Sequence, residues 1–162
     1  MKSLRAIALA LLVLFFTLTA KAQIGVYAGF SGAHFNSTTV FGPLVGVYAQ
    51  RGALLMLGGD VRGSFLNRNG QQFNTGAIGP RLALHPVVLP IKPYVEALVG
   101  IASTSTGGSS STTHLNYQIL GGIDATILPR LDWRVIEFDY SALTGSSLNA
   151  NILTTGIVFR LP

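Results

Sequence analysis

The 162-residue sequence contains no cysteine, which excludes disulfide bonds and thiolate metal sites. It is also poor in charge: Asp, Glu, Lys and Arg make up 10% of the residues, and apolar residues make up 49%. An average soluble domain carries about 25% charged residues, so a soluble fold of this composition would be short of hydrophilic surface. The composition favours a membrane protein or a tight assembly, and the length corresponds to one domain.

Long apolar runs are also missing once the amino terminus is set aside. No later stretch reaches the roughly 18 consecutive apolar residues of a transmembrane helix, so strands would have to cross any membrane. The chain lacks G-x-S-x-G and glycine-rich phosphate-binding patterns, which leaves hydrolase and nucleotide-binding functions without support. It has no basic patch interleaved with aromatic residues, and we expect no nucleic-acid partner.

The amino terminus has the pattern of a secretory signal peptide. Two basic residues precede an apolar core over 6–18, and a small-x-small cleavage site ends at Ala22, before Gln23. Cleavage there leaves eight basic against six acidic residues, a formal charge of +2 instead of +5. An uncleaved anchor is the alternative, but the apolar core is shorter than the roughly 20 residues that span a bilayer. We therefore predict a signal peptide, 1–22, followed by one domain, 23–162.

Segments of alternating polarity between turn signals predict eight strands in this domain. Their approximate ranges are 24–35, 43–51, 53–66, 72–85, 92–103, 114–128, 131–143 and 148–161. Connections after the second and sixth strands are tight, whereas those after the third and fifth are longer and polar. This asymmetry is typical of outer-membrane barrels with both termini on the periplasmic side. The prediction is an all-β fold, an eight-stranded antiparallel up-and-down transmembrane β-barrel, with the proline-rich stretch 85–92 as a rim connection.

The acidic residues decide which face of the strands lies outside. Five of the six in the chain have the parity opposite to the apolar residues, and Asp132 is assigned to a turn. Carboxylates are rarely buried without partners, so we expect them to line a lumen together with inward-facing arginines. The predicted network consists of Asp60, Arg62, Arg81, Glu96, Asp124, Glu137 and Asp139. Eight strands enclose just enough room for side chains, so this network should plug the barrel; a narrow or gated ion path is the alternative.

The apolar parity should face lipid, and on the third strand it carries Leu57, Val61 and Phe65. Aromatic residues lie mostly near the predicted strand ends, as in the girdles of membrane barrels. The residues assigned to the lipid interface are Trp133, Phe138, Tyr140 and Phe159. The same girdle interpretation covers Tyr27, Tyr48, Tyr94 and Phe73, although those with inward parity would pack the lumen instead.

Histidine supplies little evidence of chemistry. His34, His85 and His114 lie near strand ends, without the spacing of a metal site, so we expect no metal and no cofactor. A nucleophile and base could be formed by His34 with Ser31 or Ser37, or by His114 with Ser111. No carboxylate falls near either pair in the predicted register, and we expect no catalytic residues.

Several short motifs together carry a family resemblance. They are LGGDVR (57–62), GPRL (79–82), KPYVE (92–96), GGID (121–124) and WRVIEFDY (133–140). In this combination the chain resembles the small eight-stranded outer-membrane barrels of Gram-negative bacteria, of the outer membrane protein A and X type. The resemblance implies insertion by the barrel assembly machinery, which recognises an alternating last strand that ends on an aromatic residue. Here Phe159 is the expected aromatic signal, and the chain ends in Pro162.

The resemblance and the lumen pattern lead to three functional hypotheses. The first is a monomeric, non-enzymatic protein in contact with outer-membrane lipids, which stabilises the membrane or interacts at the surface through short loops near 37–42, 67–71, 104–113 and 144–147. The second is a narrow porin, and the third is a lipid A-modifying enzyme. A soluble lipocalin-like barrel is the rival fold, with the apolar parity inside and six acids left to solubilise the outside.

Overall fold

The computed structural model describes residues 22–35, 37–86, 88–106, 111–145 and 149–161. These residues form eight strands: β1 (Ala22–Phe35), β2 (Thr38–Gly52), β3 (Leu55–Arg68), β4 (Gln71–Leu84), β5 (Ile91–Thr106), β6 (Thr112–Leu128), β7 (Leu131–Leu143) and β8 (Asn149–Leu161). No helix within the described ranges is long and apolar enough to cross a membrane. The predicted signal peptide lies outside the described residues except for Ala22, the first residue of β1, and its cleavage before Gln23 stays a prediction.

The strands close into one antiparallel barrel in sequence order. Each strand pairs with the next, and β1 closes the sheet by pairing with β8 from Ile24 opposite Leu161 to His34 opposite Asn151. Closure pairs every strand on both sides, which removes the exposed edges on which sheets aggregate. The predicted eight-stranded up-and-down barrel is therefore confirmed.

The two ends of the barrel differ in their connections. We call the end that carries Ala22 and Leu161 the terminal end; the β2–β3, β4–β5 and β6–β7 connections lie there. The other four connections lie at the opposite, loop end. The β4–β5 connection is held at the terminal rim by two backbone hydrogen bonds, His85 N to Leu54 O and Thr126 N to Pro90 O, each 2.8 Å.

Side chains alternate strictly between the outside and the lumen along most of the barrel. Leu57, Val61 and Phe65 point outward and are 46%, 47% and 54% exposed. Every strand presents large apolar side chains on the outer surface, and all six Asp and Glu side chains are buried in the lumen. This orientation contradicts the lipocalin-like alternative, which requires the opposite parity.

Several strands extend further toward the loop end than hydropathy predicts. β2 begins at Thr38, so most of the predicted loop 37–42 belongs to a strand, and β5 continues to Thr106. The backbone groups of these polar residues form hydrogen bonds with the neighbouring strands. A search for alternating apolar residues does not detect such strand ends. The β3–β4 hairpin turns tightly at Asn69 and Gly70, whose φ angles of 50° and 79° fit a two-residue turn of the Asn-Gly kind. Residues 107–110 and 146–147 of the other predicted loops, like Pro162, lie outside the described residues.

Candidate functional site

Arg62 on β3 lies at the centre of a buried ion-pair network in the lumen. Its Nε atom is 3.1 Å from Asp60 Oδ1, on the same strand. Its two terminal nitrogens reach other walls of the barrel: Nη1 lies 2.7 Å from Glu137 Oε1 on β7, and Nη2 lies 2.6 Å from Glu96 Oε2 on β5. One guanidinium therefore joins three carboxylates across the barrel interior.

Two further arginines complete this network, which we call the central network. Arg81 pairs with Glu96 and lies 3.3 Å from Asp124 Oδ2, and its Nε donates to Gln50 Oε1 at 3.2 Å. Arg134 lies 3.1 Å from Asp124 Oδ1 and 2.9 Å from Glu137 Oε2. All seven charged side chains are at most 4% exposed. The members of the central network are Arg62, Arg81, Arg134, Asp60, Glu96, Asp124 and Glu137.

Simple alternation missed Arg134 because β7 contains a bulge. The pairing register of β7 with β8 shifts between Arg134 and Glu137, so both side chains point inward although they are three residues apart. Val135, which the parity rule placed on the inner face, instead contributes to the outer surface together with Ile136. Thr155 on β8 stabilises this irregularity, because its hydroxyl donates to the Arg134 carbonyl oxygen at 2.9 Å.

Three tyrosines belong to the lumen rather than to a lipid girdle. The Tyr27 hydroxyl donates to Asp60 at 2.7 Å, and the Tyr94 hydroxyl donates to Glu137 at 2.6 Å. Arginine guanidinium groups lie over their rings: Arg134 is 4.2 Å from the centroid of Tyr27, and Arg81 is 3.8 Å from that of Tyr94 and 4.3 Å from that of Tyr48. Phe73 also faces inward, at the loop end. The inward parity, rather than the position near a strand end, decides the environment of these residues.

Each of the three tyrosine rings covers a glycine on the neighbouring strand. Tyr27 lies opposite Gly46, Tyr48 opposite Gly25, and Tyr94 opposite Gly122. A Cβ atom added at any of these glycines would collide with the ring. The glycines therefore make room for aromatic side chains in a lumen that an ordinary residue would overfill.

A second cluster, the rim cluster, closes the terminal end. Asp132 is buried and lies 2.8 Å from Lys92 Nζ and 3.0 Å from Arg160 Nε. The prediction that Asp132 sits in a turn is wrong: β7 begins at Leu131, and the second residue of the strand already points inward. His85 lies at this rim, directly after the end of β4. Its partial burial and the positive charges of Lys92 and Arg160 lower its pKa.

Asp139 lies in the lumen but apart from the central network. It is 4% exposed, and within the described residues its Oδ1 atom has no hydrogen-bond partner. The polar layer around it contains the Ser31–Thr154 and Ser64–Thr75 hydroxyl pairs, each 2.7 Å, and Ser141 donating to Asn116 at 2.8 Å. Above this layer an apolar cluster, the loop-end cap, fills the barrel. Its members are Ala33, Val40, Leu66, Phe73, Ala102, Leu143, Ala150 and Ile152.

The predicted interface aromatics all lie on the outer surface. Trp133, Phe138, Tyr140 and Phe159 are between 42% and 50% exposed. Trp133 sits near the terminal end, and its indole nitrogen donates to Thr155 Oγ1 at 3.2 Å. The assignment of these residues to a lipid interface stays a prediction.

The histidines are not arranged as sequence alone allowed. His34 is exposed on the outside and its Nδ1 lies 3.0 Å from Thr39 Oγ1, whereas Ser31 points into the lumen toward Thr154. Ser111 bonds to Ser103 across the β5–β6 hairpin. Across the described ranges, no group of three or more His, Cys, Asp or Glu side chains is positioned to hold a metal ion.

Solved structures of bacterial outer-membrane proteins share this architecture. Neisserial surface protein A superposes with a TM-score of 0.57 at 19% identity, covering 85% of this chain and 96% of that one. Ail, the attachment invasion locus protein of Yersinia pestis, gives 0.63 at 12% identity, covering 87% and 99%. The N-terminal barrel domain of Pseudomonas aeruginosa OprF gives 0.59 at 12% identity, covering 87% and 100%.

Sequence comparison adds nothing to this likeness. No protein-family model and no curated protein matches the chain. At these identities the shared property is the backbone architecture. The chain has the fold of the small eight-stranded bacterial outer-membrane barrels.

Proposed function

We propose that the protein is a monomeric, non-enzymatic outer-membrane barrel with a closed lumen, which stabilises the membrane and carries short surface loops. The observation that carries this proposal is the central network. Its arginines join β3, β4, β5, β6 and β7 across the interior, which supports a lumen filled by paired charges over an open channel.

The outer surface supports the membrane location. Every strand presents apolar side chains outward. Because the sheet is closed, it has no edge strand that would expose unpaired backbone N–H and C=O groups to the hydrocarbon of the membrane. With an amino-terminal export signal and even strand number, the terminal end would face the periplasm and the loop end the exterior.

Two barriers argue against conduction. An ion would have to break buried pairs between Arg62 and both Glu96 and Glu137, at a cost of several kcal/mol per separated pair. It would then meet the loop-end cap, whose eight members are at most 5% exposed. Unpartnered polar atoms of Gln118, Asn116 and Asp139 lie between these barriers and favour isolated waters, a feature that supports the narrow-channel alternative.

The arrangement of His34 argues against the enzyme alternative. Its hydroxyl partner is Thr39, but all six carboxylates of the chain are buried in the lumen, on the other side of the barrel wall. A base on the outer surface therefore has no acid to orient it, and a threonine without such support is a weak nucleophile.

Membrane insertion is tested first and conduction second. We expect the protein to require detergent for extraction and to migrate differently on gels before and after heating; partition into the aqueous phase would contradict the membrane location. In planar bilayers we expect no steady conductance from the native protein.

The channel alternative makes the opposite prediction in the same recordings. Glu137→Ala and Arg81→Ala disrupt the central network, whereas Gln72→Ala changes an exposed polar residue at the loop end and is the control. Reproducible single-channel steps from the native protein, altered in size by the two network variants and not by the control, would establish a channel.

A further inference from the structure

A groove on the outer surface crosses β8 and β1 between β7 and β2. Its volume is about 530 Å³, and its walls are almost wholly apolar. Small residues form its floor and aromatic residues its sides; the main contributors are Phe30, Gly32, Val135, Phe138, Leu153 and Thr155. We call this feature the outer groove.

The outer groove has identifiable local causes. Gly32 lacks a side chain where its neighbour Phe41 lies flat, and a Cβ atom there would come within 2.9 Å of the Phe41 ring. Phe41 stacks on Phe30 with ring centroids 6.3 Å apart, which builds one side. The β7 bulge displaces Val135 toward the outside and shapes the other side.

The loop end of the outer groove is polar. His34 and Thr39 line it there, and Thr39 also lines an adjoining recess of about 320 Å³. Hydroxyl and amide groups surround this recess, together with Arg68. The Arg68 guanidinium lies 5.8 Å from the centroid of Phe41 and 3.4 Å from the Thr39 carbonyl oxygen, so it bridges the recess and the groove.

Charge distribution gives this arginine a particular role. All six carboxylates of the chain are buried, so the exposed formal charges of the described residues are arginines: Arg51, Arg68 and Arg130. Arg68 lies at the loop end and the other two at the terminal end. No carboxylate is within ion-pair distance of Arg68 in the described part of the chain, which leaves its charge to an external anion.

We propose that the outer groove and the adjoining recess bind one phosphorylated glycolipid of the lipid A type. An acyl chain lies in the apolar groove, a phosphate pairs with Arg68, and sugar hydroxyls bond to the side chains of the recess. Guanidinium pairing with phosphate is strong and geometrically specific, and the continuity of groove and recess matches an amphiphile with one polar end. This inference rests on the proposed outer-membrane location, with the loop end facing the exterior.

Two variants separate the headgroup site from the chain site. Arg68→Gln removes the charge, and Arg51→Gln removes an exposed arginine at the opposite end as its control. Gly32→Leu fills the groove, and Gly76→Leu is its control, because Gly76 is also outward-facing and nothing lies within 4 Å of its Cβ position.

The single tryptophan provides the measurement. Trp133 donates to Thr155, which lines the outer groove, so a lipid with brominated acyl chains should quench its fluorescence on binding. The refolded full chain, in an unbrominated detergent, is titrated with brominated bis-phosphorylated lipid A, its dephosphorylated form and brominated phosphatidylglycerol.

We expect Arg68→Gln to weaken lipid A binding by roughly tenfold to a hundredfold, the loss of a charge-assisted contact, and to leave the dephosphorylated form unaffected. Gly32→Leu should weaken both forms, and neither control should change binding by more than about twofold, the level of a remote surface change. Equal affinity for both forms, or no effect of Arg68→Gln, would overturn the phosphate site. Tighter binding of phosphatidylglycerol would overturn the glycolipid as occupant.

The test distinguishes failure of this inference from failure of the proposed location. Each variant is first checked for heat-modifiable mobility in detergent. If the native chain does not form a detergent-embedded barrel, the proposed function fails. If it does and lipid A does not quench Trp133, only the lipid site fails.

Discussion

Glu137 and Asp139 are adjacent inward-facing acids on β7, and we expect neutralising them to change stability in opposite directions. Glu137 accepts from three donors: Arg62 Nη1 at 2.7 Å, Arg134 Nη1 at 2.9 Å and the Tyr94 hydroxyl at 2.6 Å. Asp139 is equally buried but lies outside the central network, and its Oδ1 atom has no partner among the described residues. The pair forms a matched experiment in one strand.

The size of each effect follows from the contacts. Glu137→Gln keeps one acceptor oxygen but turns its NH₂ group toward one of the two guanidinium groups, because Arg62 and Arg134 bind different oxygens of Glu137. We therefore expect a loss near 3 kcal/mol, the lower end of the roughly 3–5 kcal/mol for breaking a buried pair. On folding, the Asp139 carboxyl must either be buried without an ion pair or take up a proton, whereas the amide of Asp139→Asn is neutral in both states. Since a buried unsatisfied group costs about 1–3 kcal/mol and more when charged, the free energy of unfolding should rise by about 1 kcal/mol.

Equilibrium urea unfolding of the refolded protein in lipid vesicles at neutral pH measures both changes. The slope of each transition should stay equal to that of the native protein, so that a shifted midpoint reports stability alone. If Glu137→Gln unfolds at the native midpoint, the central network is screened by water and does not hold the barrel closed. If Asp139→Asn is as destabilising as Glu137→Gln, Asp139 has a partner that the geometry does not account for.

Two further substitutions test the lipid face and the packing of the lumen. Val61→Arg places a cation near the middle of the outward face of β3 and should cost about 2–4 kcal/mol in the same assay, whereas Val61→Leu should be neutral; unchanged stability of Val61→Arg contradicts a lipid-facing Val61. Gly46→Ala places a methyl group against the Tyr27 ring and 2.8 Å from the Val61 carbonyl oxygen and should cost about 1–3 kcal/mol by overpacking, whereas Gly76→Ala enters open space and should be tolerated. Equal stability of the two alanine variants would mean that Tyr27 is free to move.

Much of this fold is readable from the sequence because alternation is a local property. On β3 the order of apolar and charged residues fixes both the strand and its inward face, and the register with β4 follows from the two-residue turn at Asn69 and Gly70. The start of β2 is not readable in this way. Thr38 and Thr39 show no apolar pattern. They belong to the strand only because the adjacent strand β1 offers partners for their backbone groups.

The membership of the central network was less predictable. Arg134 is displaced inward by a bulge, and a bulge depends on pairing with β8 that no local pattern reveals. The lumen tyrosines did leave a trace, since Tyr27 has the same parity as Gly25, and Gly46 the same as Tyr48, two glycine and tyrosine pairs that interlock across neighbouring strands. Inward parity, and not proximity to a strand end, therefore distinguishes the lumen tyrosines from aromatic residues on the outer surface.

Confinement of every acid to the lumen also explains why a costly buried network is present at all. Buried ion pairs contribute little net stability compared with apolar packing, so the network has a better rationale in specificity. A one-residue slip of β3 would reverse its faces and carry Asp60 and Arg62 into lipid, with a cost of about 2–4 kcal/mol for the arginine alone. The slip would also leave Glu96 and Glu137 in the lumen without Arg62. On a surface rich in glycine and short apolar residues, where packing alone discriminates weakly between registers, the inward charges thus select one pairing of the strands.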